Sequence, residues 1–354
     1  MNKEQKFFLK KLLETHGPSG FENANAENWR KRTKKYADKI YGDYHGNSFA
    51  VLNEKGSPKV MIAGHIDEIG YMVNHIDDNG YIFFSTIGGI DPHIMPGQRV
   101  IIHNGKGNIP GIMGRKPIHV IKPDERKNIS QITSMWIDIG ARDKKETLKY
   151  VCVGDSITVD EGTVDMLNDN IVARGLDDRA GAFIVSEVIR ILKEDIKTFN
   201  ASVCGVATVQ EEVGLRGAIT SSYSVNPDIG FAVDVTFATD HPEMDKKLMG
   251  EVSLGKGAVV YKGANINPKL FDLIIKTAKK KKIPYQIRGA ARATGTDANV
   301  IQLSRGGVAT SLISIPNRYM HTPVEMCNLK DIENVAKLIA YTIKEIKSAK
   351  HFIL

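Results

Sequence analysis

An α/β fold is expected from this sequence: a mostly parallel sheet flanked by helices, with a small β-barrel inserted into it. Three observations predict it. Residues 1–69 and 167–354 alternate short apolar runs with long helical periods, the pattern of a parallel sheet whose strands are joined by helices. Residues 70–166 instead carry short apolar runs broken by Gly, Pro, Asn and Asp, with no convincing helix, which is the texture of a barrel or sandwich. The α/β pattern then resumes. The chain therefore reads as one discontinuous domain, 1–69 with 167–354, carrying a β-rich insertion, 70–166, and its 354 residues suit two such units.

Taken in order, the N-terminal stretch MNKEQKFFLKKLLETHG is an amphipathic helix with Phe7, Phe8, Leu12 and Leu13 on one face. Lys59–Ala63 is an apolar strand that runs into AGHIDEIGYMV. YIFFSTIGG, QRVIIHNGKGNIPGIMG, SMWIDIG and DSITVD supply the strands of the insertion. RAGAFIVSEVIRILKED (179–195) is a strong amphipathic helix, followed by the strands ASVCGVATV (201–209) and IGFAVDV (229–235). NPKLFDLIIKTAKKKK keeps helical spacing through Leu270, Leu273, Ile274 and Ala278. VATSLISI (308–315) is a last strand before the closing helix NLKDIENVAKLIAYTIKEI.

Composition narrows the function classes. A quarter of the residues are charged and the apolar fraction is ordinary, so a large core can be buried. The net charge of +7 is concentrated in runs such as Lys279–Lys282 and Arg30–Arg32. Because the lysine run ends a helical pattern, it reads as a solvated helix end and no nucleic-acid partner is expected. No segment reaches transmembrane length and none resembles a signal peptide, so no membrane partner is expected. Cys152, Cys204 and Cys327 are odd in number and scattered, which gives neither a disulfide framework nor a CxxC site. Cys152 and Cys204 lie in apolar runs and are expected as buried thiols, in keeping with a reducing cytoplasm.

Strand ends carry the chemistry. His65 and Asp67 are two apart on an extended chain and so point the same way. Asp177 and Asp178 precede the 179–195 helix; Asp178 suits a helix cap, which leaves Asp177 over. Glu211 and Glu212 follow one apolar strand, Asp234 sits inside another, and His321 lies just past a third. Open α/β sheets bind ligands beyond the carboxyl ends of their strands, so these groups can converge. Two imidazoles among several carboxylates, without thiolates, suit divalent Zn²⁺, Co²⁺ or Mn²⁺, and the number of carboxylates suits two ions.

AGHIDEIGYMV, GLDDRAG, QEEVGLRGA, AVDVT, GTDAN and SIPNRYMHTPVE, in this order, resemble the dinuclear-metal aminopeptidases that include glutamyl, leucyl and deblocking members. The resemblance covers essentially the whole chain. It implies a zinc-peptidase-like catalytic domain with a PDZ-like dimerisation domain, and a dimer-based homo-oligomer, expected as a dodecamer, that admits short peptides. It implies that Asp177 bridges two metals, that His65 and Asp234 hold one, and that Glu212 and His321 hold the other. Glu211 matches the base that takes a proton from the attacking water, and Asp67 the carboxylate that orients His65. Lys262 stands where members of the family often have an acidic residue, and Arg288 and Arg292 add positive charge shortly before GTDAN; one of the three facing the substrate would favour acidic N-terminal residues.

Three rival functions fit less well. A glycosidase, a label some relatives carry, needs only two carboxyl groups about 5 Å or more apart and would leave His65, Asp234 and His321 without a task. A metal-dependent deacylase or carboxypeptidase would need a cationic clamp for a substrate carboxylate, which the arginines leave open. A metal-storing scaffold would not need Glu211.

Overall fold

The computed structural model describes residues 1–105, 107–127 and 130–354. Helix α1 (Lys3–Glu14) begins with a capping box, Asn2 accepting from the Gln5 N–H at 2.9 Å while the Gln5 side chain accepts from the Asn2 N–H at 2.8 Å. Its buried face is Phe8, Leu9, Leu12 and Leu13, whereas Phe7 is 71% exposed. The expected face is corrected by one residue: at 100° per residue, Leu9 falls between Phe8 and Leu13 and Phe7 falls opposite them. Helix α2 (Asn23–Thr33) buries Trp29, whose Nε1 donates to the Ala182 carbonyl at 2.7 Å.

Strands β1 (Lys39–Gly42), β2 (Ser48–Leu52) and β3 (Lys59–His65) follow. The chain then builds a closed barrel from β4 (Gly70–Ile76), β5 (Ile82–Ile87), β6 (Arg99–Asn104), β7 (Gly107–Arg115), β8 (Met135–Asp138) and β9 (Ser156–Val159). Closure comes from β9 pairing β4, with Ile157 opposite Tyr71. Its apolar side chains form a core of their own around Ile82, Ile102, Met113 and Ile137. One short helix, α3 (Lys144–Thr147), appears where none is evident in the sequence; it is a single turn nucleated by Asp143, which accepts from the Glu146 N–H. In the same region Cys152 is exposed, not buried, because the backbone turns Val151 inward instead.

Beyond the barrel, β10 (Val164–Asp165) and β11 (Asn170–Ala173) lead to α4 (Leu176–Glu194). There follow β12 (Ser202–Thr208), α5 (Arg216–Val225), β13 (Ile229–Phe237), α6 (Lys246–Met249), β14 (Ala258–Gly263) and α7 (Pro268–Lys281). The chain ends with β15 (Tyr285–Ala290), α8 (Ala298–Ile301), β16 (Ala309–Asn317), β17 (Glu325–Asn328) and α9 (Leu329–Glu345). Lys279, Lys280 and Lys281 do form the solvated last turn of α7.

The main sheet has the order β1-β2-β12-β3-β13-β16-β14-β15. Its four central strands, β12, β3, β13 and β16, are parallel, while the β1–β2 hairpin and the β14–β16 pair are antiparallel. All four central strands therefore end on one edge, with Thr208 opposite His65 and Asp234 opposite Ser314. Helix α4 lies unusually close to this edge: a Cβ on Gly64 would come within 2.7 Å of the Gly181 backbone. Glycine at that position lets the start of the helix meet the end of the strand.

Candidate metal centre

His65, the last residue of β3, is buried, and its Nε2 lies 3.1 Å from Asp177 Oδ1 and 3.8 Å from Glu211 Oε2. His321, on the segment after β16, brings its Nε2 within 3.3 Å of Asp177 Oδ2 and 3.5 Å of Glu212 Oε1. The two oxygens of Asp177 thus face two different imidazoles. Asp234, inside β13, is buried, and its Oδ1 accepts from the Val235 N–H at 2.7 Å. Ligand atoms lie close enough to share an ion in two groups, His65 with Asp177 and Glu212, and His65 with Asp178 and Asp234.

Asp178 is occupied otherwise. Its Oδ1 accepts from the Gly181 N–H at 3.0 Å, three residues on, and its Oδ2 from the His65 N–H at 3.2 Å. It therefore caps the regular part of α4, because Asp177 and Asp178 both have non-helical backbone angles.

Asp67 organises the other side. It stands near His65 Nδ1, with Oδ1 at 3.4 Å, and it accepts the Ser19 hydroxyl at 2.6 Å. Its two oxygens also accept the N–H groups of Glu211 and Glu212, at 3.1 and 3.2 Å, while Glu22 accepts that of Gln210 at 3.1 Å. Three consecutive amides of the loop after β12 hang on two buried carboxylates. This suits a loop that begins with Gln210 at φ 54°, a conformation disfavoured for a residue with a side chain.

Electrostatics expose the cost of the arrangement. Burial, together with the Asp234, Asp297 and Glu212 carboxylates, pushes Glu211 up to about 10 despite the opposing charge of His65. Burial and the neighbouring Asp177 raise Glu212 to about 7. Burial lifts Asp234 and Asp178 well above the usual carboxylate range, and Asp178 adds to the shift of Asp234. His321 rises to about 9 through its contact with Asp177. Burial alone would lower His65, but Glu211, Asp177 and Asp67 raise it well above its ordinary value. Carboxylates crowded this closely hold protons unless positive charge enters, and the donors are imidazole nitrogen and carboxylate oxygen without thiolate. Such a set fits divalent cations.

Three further groups at the centre are given no role by the sequence, although two of them lie inside its motifs. Glu325, in β17, accepts the Asp177 N–H at 2.9 Å and the His321 N–H at 2.8 Å, and so fixes both residues through their backbones. Its one signal is a carboxylate four residues beyond His321. Asp297, within GTDAN, is buried, accepts the Thr208 hydroxyl at 2.6 Å and is raised to about 6 by burial. Gly89, in the barrel, accepts from His321 Nδ1 at 2.8 Å. Of the three cations raised by the sequence, Lys262 places its ammonium 5.4 Å from the ring centroid of Phe271 in α7, and Arg292 is exposed. Arg288 lies on the face of the sheet that Thr236 and Asp234 share: it donates to the Thr236 hydroxyl and, at 3.3 Å, to the Phe237 carbonyl. Among the described residues it makes no ion pair with a carboxylate.

Known proteins resemble this chain along nearly its whole length. A family model described as M42 glutamyl aminopeptidase matches residues 46–338. A lysyl aminopeptidase of Pyrococcus furiosus is 39% identical, over 96% of this chain and 96% of its own. A solved TET aminopeptidase from a marine sediment archaeon of the Thaumarchaeota is 35% identical with a TM-score of 0.94, covering 99% of both chains. The Pyrococcus horikoshii TET1 peptidase, described as assembling into a tetrahedron or a large octahedral shell, is 31% identical with a TM-score of 0.86, over 97% of this chain and 100% of its own.

Proposed function

The chain belongs to the M42 glutamyl aminopeptidase family, and from that premise we propose that it removes N-terminal residues from short peptides with two divalent ions. Asp177 would bridge the ions, with His65 and Asp234 holding one and Glu212 and His321 the other. The observation that carries this assignment is the division of Asp177, with Oδ1 at 3.1 Å from His65 and Oδ2 at 3.3 Å from His321. An ion pair held there supplies Lewis acidity, making water more acidic and polarising a carbonyl. Zn²⁺ or Co²⁺ suits these donors best, with Mn²⁺ also compatible.

The chain's own groups do the rest. Glu211 is buried within reach of His65, and its backbone is tied to Asp67, so its carboxylate stays in place to take a proton from water and return it to the leaving amine. Asp67 holds the His65 ring from behind. The neutral α-amine of a peptide could also serve as a ligand to an ion at this centre, as the resemblance to the family implies, and a blocked N-terminus cannot offer that amine. That separates this reading from a deacylase. A glycosidase would have no use for the two imidazoles.

Arg288, half-buried and without an acidic partner among the described residues, supports a lean towards acidic N-terminal side chains. The lysyl aminopeptidase among the relatives argues that the same scaffold can serve a basic one. The assembly is proposed to be a homo-oligomer built from dimers, a dodecamer, since the related TET1 peptidase forms a tetrahedron and the barrel exposes Ile112, Ile118, Val120 and Val153. Three free cysteines favour the cytoplasm. Among the described residues no helix is long and apolar enough to cross a membrane.

Chromogenic amides of Glu, Leu and Lys, each with a free or an acetylated N-terminus, test the reading with and without chelator. Cleavage of the free amides alone, abolished by chelator and restored by metal, is expected. Release of acetate from the acetylated substrates, without release of the chromophore, would point to the deacylase instead.

A further inference from the structure

His65 and His321 are supported differently. His65 is almost fully buried, and its Nδ1 meets both the Asp67 backbone carbonyl, at 3.3 Å, and the Asp67 carboxylate, at 3.4 Å. His321 is about a third exposed, and among the described residues its Nδ1 meets only the backbone carbonyl of Gly89, at 2.8 Å. Gly89 follows β5 and belongs to the barrel, 232 residues from His321 in sequence. A carbonyl can only accept, so this contact keeps a ring proton on Nδ1 and turns Nε2, the atom that would hold an ion, towards Asp177 and Glu212.

The neighbouring residue touches the other side chain of the same position. A Cβ on Gly88 would stand 3.3 Å from Glu212 Oε2 and 2.7 Å from Ile69 Cγ2, and Gly88 has φ +76°. One on Gly89 would stand 3.5 Å from His321 Nδ1. The Gly88–Gly89 turn is therefore laid against both residues assigned to the second ion, with no room between Gly88 and Ile69 for a side chain.

We propose that this turn is a working part of the metal centre: the Gly89 carbonyl sets the tautomer and direction of His321, and the barrel thereby determines how tightly the second ion is held. The inference rests on the two-ion reading above. It also ranks the two positions. His65 has a carboxylate beside its carbonyl partner, whereas His321 has the Gly89 carbonyl without one and is the more exposed ring, so the ion at Glu212 and His321 leaves first.

Gly88→Ala tests it directly. An added methyl meets the Ile69 Cγ2 methyl at 2.7 Å and Glu212 Oε2 at 3.3 Å on a backbone at φ +76°, so the turn is pressed to move and the Gly89 carbonyl with it. The readout is metal per chain by elemental analysis after dialysis against graded chelator. Wild type should hold two ions and release them in two steps. Gly88→Ala should hold the first normally and the second about 10- to 100-fold more weakly, the usual effect of losing an outer partner of a ligand. Gly140→Ala is the control, because Gly140 also lies in the barrel region at φ +77° but with open space around it; it should keep both ions. The double variant Ile69→Ala/Gly88→Ala relieves the clash and should recover the second ion, which keeps the proposal open to refutation should Gly88→Ala fold poorly. Two ions held at wild-type affinity by Gly88→Ala, or equal loss in Gly140→Ala, would overturn the inference. A wild-type chain that binds no ions would instead overturn the two-ion reading.

Discussion

Glu211 and Glu212 are neighbours in sequence with different surroundings, and that difference predicts different losses. Glu212 Oε1 approaches His321, whereas Glu211 Oε2 stands 3.8 Å from His65 and is the more strongly raised of the two. Glu211→Gln is expected to lower kcat by about two to four decades while elemental analysis finds metal content unchanged. Should that variant lose metal and Glu212→Gln keep it, the roles are exchanged. The Asp177–Asp178 pair divides in the same manner. Asp177→Ala removes the one carboxylate that faces both imidazoles, so it should lose more metal than Asp234→Ala or His321→Ala. Asp178→Ala leaves the His65 and Gly181 N–H groups unpaired in a buried site, costing about 1–3 kcal/mol for each group. Chemical denaturation separates that stability effect from a loss of binding.

At the scale of elements, a buried ion cluster ties the start of α4 to the exit of β3. Glu68 meets Arg174 and Arg179, and fully buried Arg179 also donates to the Ile66 and Leu13 carbonyls at 3.3 and 3.2 Å. Glu68→Gln would strand the Arg179 charge, and a loss of about 3–5 kcal/mol in denaturant unfolding is expected, far above that of an exposed pair. A cost below about 1 kcal/mol would show that the cluster is not holding these elements together. These elements also show what a sequence can and cannot disclose. Strand exits bearing His65, Glu211, Glu212 and His321 are legible, because an ionisable residue directly after a buried apolar strand is costly unless the strand end is a binding site. Glu325 and Gly89 are not. Glu325 reaches Asp177, 148 residues away in the chain, through a backbone N–H, and Gly89 reaches His321, 232 residues away, through its own carbonyl; contacts so distant in sequence leave no local pattern. Phe7 is hard to place from sequence because consecutive apolar residues leave the phase of a short amphipathic helix ambiguous.

For the whole molecule, the barrel meets the N-terminal segment at two stacked imidazoles, His16 and His103, with ring centroids 3.8 Å apart. Burial, with His16 and Arg174 nearby, lowers His103 from 6.5 to about 4, against the pull of Asn108 and Glu68. His16 is lowered as well, chiefly by burial. A histidine whose folded value is depressed contributes stability that is complete above its unfolded value and is lost as pH falls through its folded value. The joint should therefore loosen between about pH 6.5 and 4, seen as lower hydrogen-exchange protection in β6 once rates are corrected for the intrinsic effect of pH. His103→Gln should flatten the pH dependence of the melting temperature across that window; an unchanged profile would assign the acid sensitivity elsewhere.

Barrel closure has a further consequence, for the order in which the chain becomes structured. β4 and β9 are neighbours in the barrel, Tyr71 lying opposite Ile157, so the finished barrel brings together the two points where the chain enters and leaves it. β3 and β12 must pair across that same stretch, Thr208 beside His65. A barrel already formed cuts the effective length of the intervening loop by more than half and lowers the entropy cost of closing it by about 1 kcal/mol. During synthesis the barrel strands are complete before β12 leaves the ribosome, so the insertion acts as an early clasp for the parallel sheet made after it. Pulse-labelled hydrogen exchange during refolding should find β4–β9 amides protected before those of β3 and β12, and the reverse order would show that the sheet forms without the clasp.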